Sequence, residues 1–134
     1  MALQLSVAVR NGLLDAIETA TGTTAHLHIR TGAPPADCAT ADSGTLLADL
    51  TLPSDWLAAS SAGSKAKAGT WSGTGAAAGT AGYFRIKDSA GTNTHIQGTV
   101  TATGGGGDMT LDNTSIASGQ TITITSFTLT APNA

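Results

Sequence analysis

Two periodicities divide the chain. Near the N-terminus apolar positions recur at helical spacing: Val9, Leu13, Ile17 and Ala20 fall on one face, with Leu5 just ahead of them. Ser6 stands where an N-cap belongs and Gly22 where a glycine ends such a helix, so the pattern predicts one helix over about residues 6–21. Asn11-Gly12 weakens its middle by about 1 kcal/mol relative to good helix formers. Beyond Gly22 the period drops to two and stays there.

In AHLHIR (25–30) Leu27 and Ile29 share one face of a strand, and His26, His28 and Arg30 the other. Residues 32–44 form a loop stiffened by Pro34-Pro35 and closed by Asp42-Ser43-Gly44. A strand over 45–52 aligns Leu46, Ala48, Leu50 and Leu52 until Pro53 ends it, and Ser54-Asp55 is expected to begin a short helical turn carrying Trp56. The Ala/Gly/Ser/Thr-rich stretch 58–82 holds two weak strands, near Lys65–Ala68 and Thr70–Gly73. GYFRIKD (82–88) and NTHIQGTV (93–100) make a hairpin, with Phe84 and Ile86 on one face and Tyr83, Arg85 and Lys87 on the other. A glycine turn and a short strand occupy 104–112, and a further turn over 113–119 leads into the last strand.

That last strand alternates as Thr121-Ile122-Thr123-Ile124-Thr125 and then slips phase to Phe127 and Leu129. Either a bulge at Thr125-Ser126 resets the phase, or the strand crosses from one sheet to another at a corner. Both leave the threonines outside. One helix followed by seven or eight short strands with glycine-rich turns predicts an all-β fold, an antiparallel β-sandwich of jelly-roll-like form with one N-terminal α-helix. The whole chain, 1–134, reads as a single domain, with the helix at about 6–21 and the sandwich at about 25–131.

Charge narrows the function. Only 11% of the 134 residues are charged, against about 25% in an ordinary soluble domain. The six Lys and Arg are scattered and the formal charge is −3, which argues against nucleic acid, whose binding needs clustered cations. No apolar run is long enough for a membrane helix, and no secretory signal is expected at the N-terminus. A single cysteine, Cys38, leaves stability to packing rather than to an internal disulfide. A surface so poor in charge has lost a usual guard against association and suits a protein that touches other proteins.

Candidate chemistry is sparse. His26 and His28 share a strand face at a spacing that can chelate a metal, but two histidines do not make a site and His95 lies on another strand, so neither metal nor cofactor is expected. Cys38 has no activating base nearby in sequence. Gly104–Gly107 lacks the Gly-Lys-Ser/Thr that closes a phosphate loop and leads into a strand. Asp37, Asp42, Asp55, Asp108 and Asp112 sit in turns, where Asp bonds its own backbone. Trp56 and Trp71 would serve either as stacking platforms for sugar rings or as interface anchors, or they pack at the edge of the core. Asn113-Thr114-Ser115 is a formal glycosylation sequon. No catalytic, cofactor-binding or metal residues are assigned, and no enzyme is expected.

The stretches LHIRTGAPP, SGTLLADLTLPSDW, GTAGYFRIKDSAGT and HIQGTVTATGGGGDMTLDNTSIASGQTITITSFTLT together resemble small virion proteins of tailed bacteriophages, over most of the chain from about residue 25. The comparable proteins that are best understood are capsid decoration, or cement, proteins with a jelly-roll-like fold. The resemblance implies a homo-oligomer, dimer or trimer, made in the host bacterial cytoplasm. It would be carried on the outer surface of the virion, binding and stabilising the shell of major capsid protein. Two other roles stand beside it: a tail, head–tail junction or fibre-base protein, and a carbohydrate-binding β-sandwich module using Trp56 or Trp71.

Overall fold

The computed structural model describes residues 3–134. Among these residues the chain forms one helix and eleven short strands. The helix is α1 (Val7–Thr21), and the strands begin with β1 (His26–Arg30), β2 (Leu46–Thr51), β3 (Ser64–Ala66) and β4 (Trp71–Thr74). They continue with β5 (Gly79–Thr80), β6 (Tyr83–Lys87), β7 (Thr94–Ala102) and β8 (Met109–Leu111). The last three are β9 (Ser115–Ile116), β10 (Thr121–Ile124) and β11 (Thr128–Thr130). The fold is therefore mostly β with an N-terminal helix, as the change of period predicts.

Five strands form the main sheet in the order β2-β1-β6-β7-β8, and the remaining strands pair as the ribbons β10-β4, β11-β3 and β5-β9. An antiparallel bridge between Ala48 and Gly75 ties the edge strand β2 toward the β4 ribbon, so the sheet curls round instead of ending in an open edge. Its inner face carries Leu27, Ile29, Ala48, Leu50, Phe84 and Ile86 into one core with Trp56, Trp71, Ile122, Ile124 and Phe127. The aromatic rings run in sequence through this core, with centroids 6.1 Å apart for Trp56–Trp71, 5.6 Å for Trp71–Phe127 and 5.6 Å for Phe127–Phe84.

The expected hairpin is present as β6–β7, with Phe84 paired to Gly98 and Ile86 to Ile96. In β2 the register shifts by one residue opposite Ile29 and Arg30, so Leu47 enters the core together with Ala48 while Leu46 is only half-buried. A bulge thus corrects the simple alternation read from the sequence. Ser54-Asp55 makes a bend and not a helical turn; Pro53 ahead of it and an antiparallel bridge between Leu57 and Lys67 hold the segment extended.

The short strand after the glycine run pairs with β7 in parallel, Val100 opposite Met109 and Ala102 opposite Leu111, in a fold otherwise antiparallel. So short a return between parallel strands needs glycine. A Cβ on Gly105 would lie 2.7 Å from Thr101 Oγ1 and one on Gly107 2.9 Å from the same atom. The phase slip near the C-terminus is a change of partner: β10 pairs with β4, the ladder lapses over residues 125–127, and β11 resumes against β3. Ile122, Ile124 and Phe127 are buried and Leu129 half-buried, while Thr121, Thr123, Thr125, Thr128 and Thr130 face outward.

Candidate functional site

Three places carry the side chains that bear on function: the outer face of the main sheet, a pair of histidines at its β1–β2 side, and the exposed face of α1.

Every residue of β6 is buried, including Tyr83, Arg85 and Lys87, which alternation alone assigns to an exposed face. The loop between β1 and β2 folds over them. Tyr83 donates its hydroxyl to the Ser43 carbonyl at 2.6 Å and Gln97 Nε2 donates to the Pro35 carbonyl at 2.8 Å. The Arg85 guanidinium donates to the carbonyls of Thr40 (2.8 Å) and Asp37 (3.0 Å) and to Gln97 Oε1 (2.9 Å). At the centre lies Asp42, whose carboxylate receives Lys87 Nζ at 2.7 Å, Arg85 Nη1 at 2.9 Å and Arg30 Nη2 at 3.1 Å. Burial raises the Asp42 carboxyl, but the Lys87 hydrogen bond and the surrounding cations outweigh it and hold the group below its usual 3.8. Asp42 is thus a charge clamp and not the simple turn residue expected of it.

Beside this clamp opens a polar cleft of about 690 Å³ bordered by Cys38, Asp42, Arg85, Lys87 and Asn93. Its cations Arg85 and Lys87 share the one Asp42 carboxylate with Arg30, and no histidine lines it to serve Cys38 as a base.

On the same outer face, at the β1–β2 side, Asp49 of β2 stands opposite His28 of β1. Its two carboxylate oxygens reach one imidazole each, Oδ1 at 2.8 Å from His26 Nδ1 and Oδ2 at 3.5 Å from His28 Nε2. The rings meet edge to face with centroids 6.5 Å apart. His28 is buried, and burial pulls its pKa below 6.5, with Asp49 opposing that shift and Lys87 and Arg30 adding to it. Its Nδ1 is buried without a hydrogen-bond partner among the described residues, an arrangement that costs about 1–3 kcal/mol. His95 is exposed on β7 and takes no part.

The remaining candidates resolve as structural. Asp37 accepts from Thr40 N and Thr40 Oγ1, both at 2.8 Å, bracing its own turn. Asp108 accepts from Thr99 N at 2.9 Å and Thr99 Oγ1 at 3.1 Å, closing the glycine turn. Asp55 and Asp112 are exposed, and Asn113 lies exposed in a turn with its Oδ1 accepting from Ser115 N. Trp56 and Trp71 are both 0% exposed, with their indole N–H groups donated to the Gly22 and Ala68 carbonyls. Neither ring can offer a face to a sugar; of the roles the sequence leaves open, both take that of core packing.

The helix α1 reverses the usual logic of an amphipathic segment. Its N-cap is Ser6, whose hydroxyl accepts from Val9 N, and Gly22 closes it. The side packed on the body is mainly polar. Arg10 donates to the Ala131 carbonyl at 2.8 Å, Asn11 Oδ1 accepts from Gly63 N at 2.9 Å, and Lys65 Nζ bridges Asp15 (3.0 Å) and Glu18 (2.8 Å). Burial lowers the Lys65 pKa, but hydrogen bonds to Glu18 and Asp15 outweigh it and leave it raised. Leu14 is the one large apolar residue of the helix that is fully buried. Of the stripe predicted from periodicity, Val9 (49%), Leu13 (46%) and Ala20 are exposed, while Leu5 and Ile17 are half-buried; the other exposed large hydrophobics among the described residues are Leu3 (71%), ahead of the helix, and Val7 (51%), which lies off that face.

All six Lys and Arg are held by the fold. Arg10 is bonded to Ala131 O, Lys65 to the helix, Lys67 to the Gly69 carbonyl, and Arg30, Arg85 and Lys87 to Asp42. Four of the six pair with carboxylates, while Arg10 and Lys67 are held by backbone carbonyls alone.

Comparison with known proteins gives no match: no family model, no curated protein and no solved structure is similar to this chain.

Proposed function

We propose that this is a virion structural protein of the capsid-decoration type, which binds the outside of a shell of major capsid protein and stabilises it. The observation that carries the reading is the outward apolar stripe that Val9 and Leu13 form on α1, four residues apart on the side away from the buried Arg10 and Leu14. A helix anchored by Arg10, Asn11 and the Lys65 bridge keeps that stripe on display, and large apolar side chains exposed together mark a protein contact. The occupant is an apolar patch on the capsid subunit. Apart from the stripe, the outer surface is largely small uncharged residues, threonine, serine, alanine and glycine, so contacts with the shell are hydrophobic and hydrogen-bonded and depend weakly on salt.

On this reading the curled main sheet and the ribbons across the core are the two layers of an antiparallel, jelly-roll-like sandwich, and the protein acts by binding and not by catalysis. It assembles as a dimer or trimer, because linking several modest contacts through an oligomer raises effective affinity by orders of magnitude. Preferential binding to the assembled shell stabilises it by mass action. A tail or head–tail junction role rests on the same apolar stripe and differs in copy number. The carbohydrate-module reading loses its platform with the burial of both tryptophans.

The test is to strip the protein from purified shells and add it back, wild type or Leu13→Asp. Wild type restores the temperature at which the shells come apart and Leu13→Asp does not. Shells equally stable with and without the protein would overturn the proposal.

A further inference from the structure

The geometry points to a binding site for a divalent transition cation, zinc the best fit, formed by His26, His28 and Asp49. Residues two apart on one strand place both imidazoles on the outer face of β1, and cross-strand register delivers the third ligand from β2, where Asp49 pairs directly with His28. Candidate ligand atoms of the three residues all lie within 4.8 Å of one another. Metal–nitrogen and metal–oxygen bonds of about 2.0–2.2 Å place tetrahedral ligand atoms about 3.3 Å apart. The 3.5 Å separation of His28 Nε2 from Asp49 Oδ2 already meets that spacing, and the 2.8 Å contact between His26 Nδ1 and Asp49 Oδ1 opens to it by side-chain rotation.

The chemistry of the donor set selects the ion. Two imidazoles and one carboxylate suit zinc and its first-row neighbours, whereas calcium and magnesium take oxygen ligands. The side chains of His26 (23%) and Asp49 (42%) are partly open to solvent while that of His28 is 10% exposed. An ion can therefore reach the site, and the coordination position left over faces water. The nearby cations Lys87 and Arg30 donate to Asp42, at 2.7 and 3.1 Å, and not to Asp49, so the Asp49 carboxylate is available to the ion.

The experiment titrates the untagged, metal-stripped full chain with cobalt(II), followed by its visible ligand-field absorption, and then displaces cobalt with zinc. A single equivalent should saturate the site and zinc should abolish the bands. Loss of an outer-shell partner alone costs metal sites about 10–100-fold in affinity, so His26→Ala and Asp49→Asn should each weaken binding by at least about tenfold. Asp49→Asn retains a hydrogen-bond partner for His26, and its melting temperature in chelator should stay that of wild type. His95→Ala should bind as wild type does. Absence of saturation at one equivalent, undiminished affinity in Asp49→Asn and His26→Ala, or equal loss in His95→Ala would each overturn the site.

Discussion

Replacing Asp42 with asparagine removes one negative charge from beneath three cations. The side chains of Arg85, Lys87 and Arg30 are 2%, 7% and 14% exposed, so water cannot take over the pairing. Breaking a buried ion pair from one side costs about 3–5 kcal/mol, a large part of the roughly 5–15 kcal/mol that holds a domain folded. At this chain length each kcal/mol moves the melting temperature by about 3–5 °C, so Asp42→Asn should melt roughly 10–20 °C below wild type. The buried tryptophans Trp56 and Trp71 report the transition by fluorescence. Asp55→Asn, which alters an exposed carboxylate, should melt within about 2 °C of wild type. The same clamp sets an acid limb. Because the folded Asp42 carboxyl lies below 3.8, its contribution is complete above that pH and is lost as pH falls through the folded value. The Asp42→Asn variant should lack that part of the acid dependence. A melting temperature within about 3 °C of wild type would refute the clamp.

Leu13→Asp should leave stability within about 0.5 kcal/mol of wild type, since the side chain is exposed, while abolishing shell binding in co-sedimentation. Trp71→Ala should cost about 3–5 kcal/mol in urea unfolding, because it empties the centre of the aromatic row; a loss under about 1 kcal/mol would show that row to be dispensable. The folded His28 pKa lies below 6.5, so the unfolded chain binds a proton first and stability falls as pH drops from 6.5 through the folded value. His28→Gln should flatten that part of the wild-type stability–pH curve, and parallel curves would contradict it.

Local patterns carried much of the architecture. Ser6 and Gly22 bracket the helix, the Tyr83–Lys87 hairpin pairs as alternation predicts, and the late phase slip marks a change of partner strand. What was not legible depends on which surface each element meets. The helical stripe is present in the sequence, yet its direction is set by Arg10, Asn11 and Lys65, whose partners Ala131 and Gly63 are remote in sequence or ordinary in type. Arg85 and Lys87 read as solvent-facing because nothing in β6 announces that the Pro34–Asp42 loop will cover them. In the metal site the His-x-His pair is visible, but Asp49 joins it only through strand register, 23 positions away. The burial of both tryptophans follows from their places in the ring sequence with Phe127 and Phe84, a long-range arrangement that composition does not encode.

The most direct measurement of the central claim is the copy number of this chain in purified virions, counted against the major capsid protein by quantitative mass spectrometry. The account predicts an abundance of the same order as the capsid protein itself. A handful of copies per particle, or none, would contradict it.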